Sequence, residues 1–372
     1  MSTAPQSPVT GFILALIASI LWALFFFTVI EVPNVIRNHM ALFLAFLCFF
    51  AAFSFLFIFK RQPGSEHIEI FRKWEASHPW ARFLGLIAGV IMSAFWLGSL
   101  GIALASTPSN AMMADLIAPP IILFVEYVCY PPKKRFWLKI FYSAMALVLC
   151  LVSAFIFLKL VEASQDQSWN FLPEIWLFIP TIPGIIALVL LIIAEKYKPD
   201  YGGDENTSLE TTKNLFRIHE YLGIAVCVGV VAITGRTDWV LSILTLNHVA
   251  LNSINTAASF GTVVILLLLG LVLGWLVVFS VVFYDRARRH LDTSGAAMLE
   301  TMDPYVSAAI GLLLFLLFYY PEHWIELGIS LNGLFDSSNY NSIISIVYWL
   351  LGAALLFLAT YLLSLGKGKD EV

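Results

Sequence analysis

Three carboxylates, Asp115, Glu300 and Asp303, sit in stretches otherwise apolar enough to cross a membrane. A charged side chain at bilayer depth costs about 2.5–3.5 kcal/mol on insertion scales, so such a group faces a cavity, a partner or an exchangeable proton. Two of the three share a further feature: Pro119 follows Asp115 by four residues, and Pro304 follows Glu300 by four. Proline has no N–H to donate, so within a helix it frees the carbonyl four residues earlier, and here that carbonyl belongs to the acid itself. Carboxylate and unbonded carbonyl then share one turn, a cluster of acceptors suited to a cationic or amine-bearing solute or to a proton. The opposing reading has the acids satisfied by neighbouring helices or reaching the interface near a span end.

Trp22 and Trp96, with Phe25 and Phe26, are aromatic side chains that could line a cavity and stack on a substrate. In a chain with 15% aromatic residues, packing among themselves or against lipid is the competing expectation. Glu31, Glu126, Glu195 and Asp285 fall near span ends, where solvated carboxylates are expected. His219-Glu220 is not part of an H-E-x-x-H pair, and the remaining histidines are scattered without ligand spacing. Cys48, Cys129, Cys150 and Cys227 lie in apolar runs without close pairing and read as packing residues. No phosphate loop, nucleophile elbow or zinc pattern is present in the sequence, so we expect no catalytic residue, no metal and no cofactor, and not an enzyme. The expected partners are a small-molecule substrate and the lipid bilayer, with no nucleic acid; a homodimer is left open.

The elements that must position these groups follow from composition. Hydrophobic residues make up 60% of the chain, charged residues 12%, and the mean hydropathy is +0.85, which leaves no polar coat for a water-soluble fold. Apolar runs near 11–31, 40–59, 83–105, 110–130, 138–159, 173–194, 216–235, 259–284, 295–319 and 342–365 predict ten transmembrane helices. The first run is longer than a signal-peptide core and is expected to remain as a span. Basic residues sort onto one side of this plan by eighteen to three, the exceptions being Arg37, Lys159 and Arg236. Both termini are therefore predicted to be cytoplasmic, in the plasma (cell inner) membrane. Between spans, 64–80 reads as a short interfacial helix or a solvated loop with anchors, and 196–214 as a flexible linker at the midpoint.

A single shift, carrying Gly85 to Gly270, aligns two parts of the chain without a gap. It places Gly85 and Gly89 on Gly270 and Gly274, two G-x-x-x-G steps that permit close helix packing, and Pro119 on Pro304. Asp115 falls on Glu300 at the same shift. Five spans separate the matching elements, so equivalent helices cross in opposite directions, as in inverted-repeat transporters. The fold class expected is an all-α polytopic membrane protein of two inverted five-helix repeats. Its parts are a tail at 1–10, a first repeat at 11–160, the sixth helix and linker at 161–215, the rest of the second repeat at 216–366, and a tail at 367–372.

Three passages resemble the drug/metabolite transporter (DMT) superfamily, specifically its EamA-type permeases. They are Gly11 to Phe26 with Trp22-Ala23, Ala105 to Pro120, and Ala296 to Phe315 with Leu299-Glu300-Thr301-Met302-Asp303-Pro304-Tyr305. The resemblance implies a central cavity lined chiefly by the first four helices of each repeat, with the fifth and tenth more peripheral, and a secondary carrier. The expected function is alternating-access transport of a small metabolite, such as amino acid or amine export, with proton coupling at Asp115, Asp303 or Glu300. The alternatives are a membrane-embedded lipid-modifying enzyme, which would need a tight His/Asp/Ser constellation, or a lipid scramblase.

Overall fold

A computed structural model describes residues 8–31, 36, 38–61, 65–105, 136–163, 178–196, 205–247 and 258–300, with single positions in 121–128 and 351–359. Every element among the described residues is a helix: α1 (Pro8–Glu31), α2 (Met40–Arg61), α3 (Ser65–Ser77), α4 (Pro79–Ala105), α5 (Phe136–Ala163), α6 (Thr181–Lys196), α7 (Glu205–Thr234), α8 (Thr237–Leu244) and α9 (Phe260–Glu300). The predicted fourth and tenth spans fall outside this set apart from those single positions, and the ninth lies outside it beyond Glu300.

Among the described residues, five segments are long and apolar enough to cross a membrane: Met40–Ile58, Pro79–Ile102, Phe136–Ser153, Leu215–Thr234 and Phe260–Ala287. Shorter apolar helices run over Val9–Phe25 and Thr181–Ile193. The packing explains why these helices lack a polar stripe. On α2, Phe43, Leu44, Leu47, Cys48, Ala51 and Phe55 are fully buried, while Phe49, Phe53 and Phe57 at i, i+4 and i+8 are exposed. Val226, Val230 and Ile233 form the same kind of exposed row on α7. A helix apolar on both its packed and its open face suits a solvent of lipid tails rather than water.

The main helix pairs are α1 with α9, α2 with α7, α4 with α7, α2 with α9, and α4 with α6. Small residues set three of these approaches. A side chain at Gly89 would strike the backbone of Glu220 and Gly223, and one at Gly223 would meet the Leu86 carbonyl. One turn earlier Gly85 faces Phe216 and His219, and one turn later Ser93 Oγ lies 3.1 Å from Cys227 Sγ. Contacts that advance together along both chains mean that α4 and α7 run parallel. Gly270 against Phe46 and Leu47, then Gly274 against Leu47, Phe50 and Ala51, make α2 and α9 parallel by the same reasoning. The α4–α6 pair is antiparallel, since Gly98 meets Pro180 while the earlier Phe95 meets Gly184. Ser280 Oγ donates to the Ala18 carbonyl at 2.9 Å between α9 and α1. Ser153 Oγ of α5 donates to the Gly352 carbonyl at 2.9 Å.

Local chemistry ends these helices where the chain must turn. Pro79 opens α4, where its missing N–H costs nothing. Gly235, at φ 63°, closes α7: its N–H reaches the Ala232 carbonyl and the Arg236 N–H the Val231 carbonyl, both at 3.2 Å. That paired arrangement satisfies the last carbonyls of the helix, and it fixes the end of the seventh span, which the mixed sequence after Arg236 had obscured.

Three expectations are corrected. The stretch 196–214 is not linker throughout, because α7 begins at Glu205 and holds 30 residues. Residues 285–294, expected to turn between the eighth and ninth spans, are helical, and α9 runs unbroken through 41 residues. No glycine or proline stands between Gly274 and Gly295, so nothing in the chain stops the helix there. Glu300 is therefore helical and continuous with α9. Finally, 65–77 is a helix, but its apolar face is turned to the protein: Phe71 and Trp74 pack on Phe216 of α7 with centroids 5.5 and 6.4 Å apart.

Candidate functional site

Polar groups inside the bundle converge where α3 crosses the start of the apolar part of α7. Glu75 of α3 is only 5% exposed. Arg82 of α4 donates to its Oε2 at 2.9 Å, and His219 Nε2 of α7 stands 2.5 Å from its Oε1. The Oε1 approach is a charge contact outside hydrogen-bonding geometry, which makes Arg82 the directional partner. Burial alone would push the Glu75 carboxyl up. The close His219 and the Arg82 hydrogen bond and charge outweigh it and hold the group down at about 2. Glu75 is thus an anion buried at the junction of three helices.

Half a turn away on α7, Arg217 grips Asp285 of α9 through both guanidinium nitrogens, the longer contact being 3.3 Å. A planar guanidinium matched to a carboxylate is a geometrically demanding pair. Asp285 is 6% exposed, which corrects the expectation that it is a solvated residue at a span end. Glu220 is equally buried. Tyr221 packs on Phe55 with centroids 5.6 Å apart. Ionisable residues of α3, α4, α7 and α9 therefore meet at one end of the bundle.

The expected aromatic pair is also brought together. Trp22 of α1 stacks on Phe25 at 5.5 Å, and Trp96 of α4 sets its ring edge-on to both, at 5.5 and 5.9 Å. Phe95 and Trp96 pack at 6.4 Å. Phe25 and Trp96 are buried, and these rings pack on one another. One turn beyond Trp96, the Ser99 hydroxyl is buried without a hydrogen-bond partner. The glycines of both G-x-x-x-G steps occupy helix contacts, as their spacing predicted. Asp115, Pro119, Asp303 and Pro304 lie outside the described residues, and of Glu300 only the helical backbone is described.

Sequence reasoning passed over Glu75, Arg82, Arg217, His219 and Glu220 as members of a site. The signal was present: three ionisable residues crowd the first turn of an otherwise apolar span from Arg217 to Glu220. Their spacing matches no ligand or catalytic pattern, because their partners come from α3, α4 and α9, up to 144 residues away at Glu75. Among the described residues no group of three or more His, Cys, Asp or Glu could hold a metal ion. Cys48 and Cys150 are buried free thiols within the packing.

Compared with protein families, curated proteins and solved structures, the chain finds no match.

Proposed function

We propose that this chain is a secondary carrier of a small metabolite, built as two inverted five-helix repeats and working by alternating access. The observation that carries the reading is an exchange of partners. With α1, α2 and α4 as the first three spans and α6, α7 and α9 as their counterparts, the α4–α7 seam becomes the α9–α2 seam on swapping the repeats, and α4–α6 becomes α9–α1. The α2–α7 pair maps onto itself, and so does the link from Ser153 to Gly352 between the fifth and tenth spans. Both glycine seams are parallel, which an inverted plan of this span order requires.

Helix direction also supports a span at 110–130. Parallel α4 and α7 need an odd number of crossings between them, and α5 and α6 supply two. The apolar run at 110–130 supplies the third, and the antiparallel α4–α6 pair makes the same demand. In the ten-span plan, the basic side faces the cytoplasm, both termini lie there, and the charged layer around Glu75 lies at the cytoplasmic end. The membrane is the plasma (cell inner) membrane in this reading. The same span plan favours the DMT superfamily and its EamA-type permeases as the family resembled.

Asp115 and Asp303 are the proposed substrate- or proton-binding acids, and an amine or amino acid is the solute class their chemistry favours. Uptake and counterflow in proteoliposomes, across a metabolite panel and at two pH gradients, test this with Asp115→Asn and Asp303→Asn beside wild type. Substrate-specific counterflow that both variants lose is expected. Unaltered transport in both removes the site assignment. A fluorescent lipid in the same vesicles reads the competing function, and lipid scrambling without counterflow overturns the carrier.

A further inference from the structure

The seam between α4 and α7 is held differently at its two ends. Along its length it is glycine against backbone, with Gly89 on Gly223 and Gly85 beneath the His219 side chain. At the α3 end it is closed by charge. Glu75 reaches across from α3 to His219 on one side of the seam and to Arg82 on the other, so one carboxylate ties α4 to α7. The strap carrying it is seated by rings: Phe71 and Trp74 on Phe216, and Trp74 stacked on His78 at 4.8 Å. Two residues from His219 on α7, Arg217 is taken up by Asp285 of α9, so the same turn is clasped from a second direction.

We propose that Glu75 and His219 form a proton-operated clasp, which closes the α4–α7 seam when the imidazole is charged and releases α3 when it is neutral. The release of this end as the carrier opens inward rests on the transport reading above; the clasp itself does not. An imidazole changes charge between about pH 5 and 8, a range in which neither carboxylates nor guanidinium groups ordinarily do. Against a carboxylate 2.5 Å away, gain of that charge converts a polar contact into an ion pair.

The groups that face or flank this pair are Glu75 on α3, Arg82 on α4, Cys48 on α2, Arg217, Glu220 and Tyr221 on α7, and Asp285 on α9. Arg217 and Asp285 neutralise each other. Arg82 meets Glu75 at any pH in the range, and two further imidazoles belong to or adjoin α3: His67, and His78 stacked on Trp74. His219 and Arg82 together hold the Glu75 carboxyl down against its burial, and Arg82 keeps its hydrogen bond to Glu75 whatever the charge on the imidazole.

Hydrogen–deuterium exchange on the full chain in lipid nanodiscs tests the clasp directly, at about pH 6 and about pH 8 with intrinsic exchange rates corrected for pH. In wild type the α3 amides at 65–77 are expected to be about fivefold better protected at the lower pH, while α2 shows no change. Glu75→Gln and His219→Gln are each expected to abolish that difference, and Arg82→Gln to lower protection at both pH values while retaining it. Equal protection of wild-type α3 at the two pH values overturns the proposal, as does a pH difference that survives in His219→Gln. Because wild type alone can decide, a variant that fails to fold does not rescue the idea. The outcome is independent of transport: a clasp without counterflow would leave the switch and remove the carrier.

Discussion

The α4–α7 and α2–α9 seams share the G-x-x-x-G spacing but differ in how close they come. Gly89 lies on another glycine, and its neighbour across the seam is backbone at the Glu220 carbonyl. A Cβ at Gly270 or Gly274 would meet backbone and Cβ atoms of Phe46, Leu47, Phe50 and Ala51 no nearer than 2.9 Å, against 2.1 Å from one at Gly89 to the Glu220 carbonyl. At the α3 end, the first seam carries a tie between its own two helices, from Glu75 to Arg82 and His219. A repeated spacing therefore specifies where two helices come close, and the partner helix specifies how close and how firmly. The difference assigns the first seam the steeper steric limit and the second some room to adjust.

Substitution at the tighter seam should have the largest effect. Gly89→Leu has no space between α4 and α7, and loss of folded protein on detergent size-exclusion is expected. Gly89→Ala should destabilise by about 3 kcal/mol, at the upper end of overpacking costs, because a backbone carbonyl cannot rotate away. Asp285→Ala should come next. Removing one partner of a buried pair costs about 3 kcal/mol or more, and a lowered thermal midpoint that Arg217→Ala partly restores would establish the pairing. The looser seam should respond less, with Gly270→Ala costing about 1 kcal/mol, since a Cβ there meets its nearest atoms at 2.9 to 3.1 Å rather than at 2.1 Å. If Gly270→Ala is as damaging as Gly89→Ala, the distinction between the seams falls.

Acid sharpens the comparison at the charged end. The Glu75 carboxyl is held at about 2 against an ordinary 4.5, so its contribution is complete above 4.5 and is lost as pH falls from there toward 2. Loss of α3 protection over that acid window is expected in wild type and should be absent in Glu75→Gln. The smallest effect is expected at Gly229, which meets nothing across either seam. Gly229→Ala should stabilise α7 by up to about 1 kcal/mol through helix propensity alone. A destabilised Gly229→Ala would mean that the open side of α7 is occupied.

Much of this arrangement was legible in the residues. Apolar runs located the described spans, and the G-x-x-x-G steps picked out glycines that prove to be packed. Both signals are local: burial in lipid demands a continuous apolar run, and close approach demands absent side chains at i and i+4. The charged layer was not legible, because Glu75, Arg82, His219, Arg217 and Asp285 belong to four helices and no spacing along the chain relates them. The expected turn at 285–294 failed for a related reason. Polar residues there suggested a loop, yet Arg286, Ala287 and Arg288 are good helix formers without a breaker among them, and the helix continues.

What the sequence determined by itself is therefore the solvent of this protein and the elements that fill it: apolar helices, their basic-side bias and the glycines that let them touch. Tertiary structure alone decided that α4 runs parallel to α7 and α2 to α9, that α3 turns its rings to the protein, and that Glu75 is an anion beside His219. Hydrophobicity and steric volume act within one helix and can be read along it. Ion pairing depends on distance in space, and only the packed bundle brings Glu75 to within 2.5 Å of a residue 144 positions away.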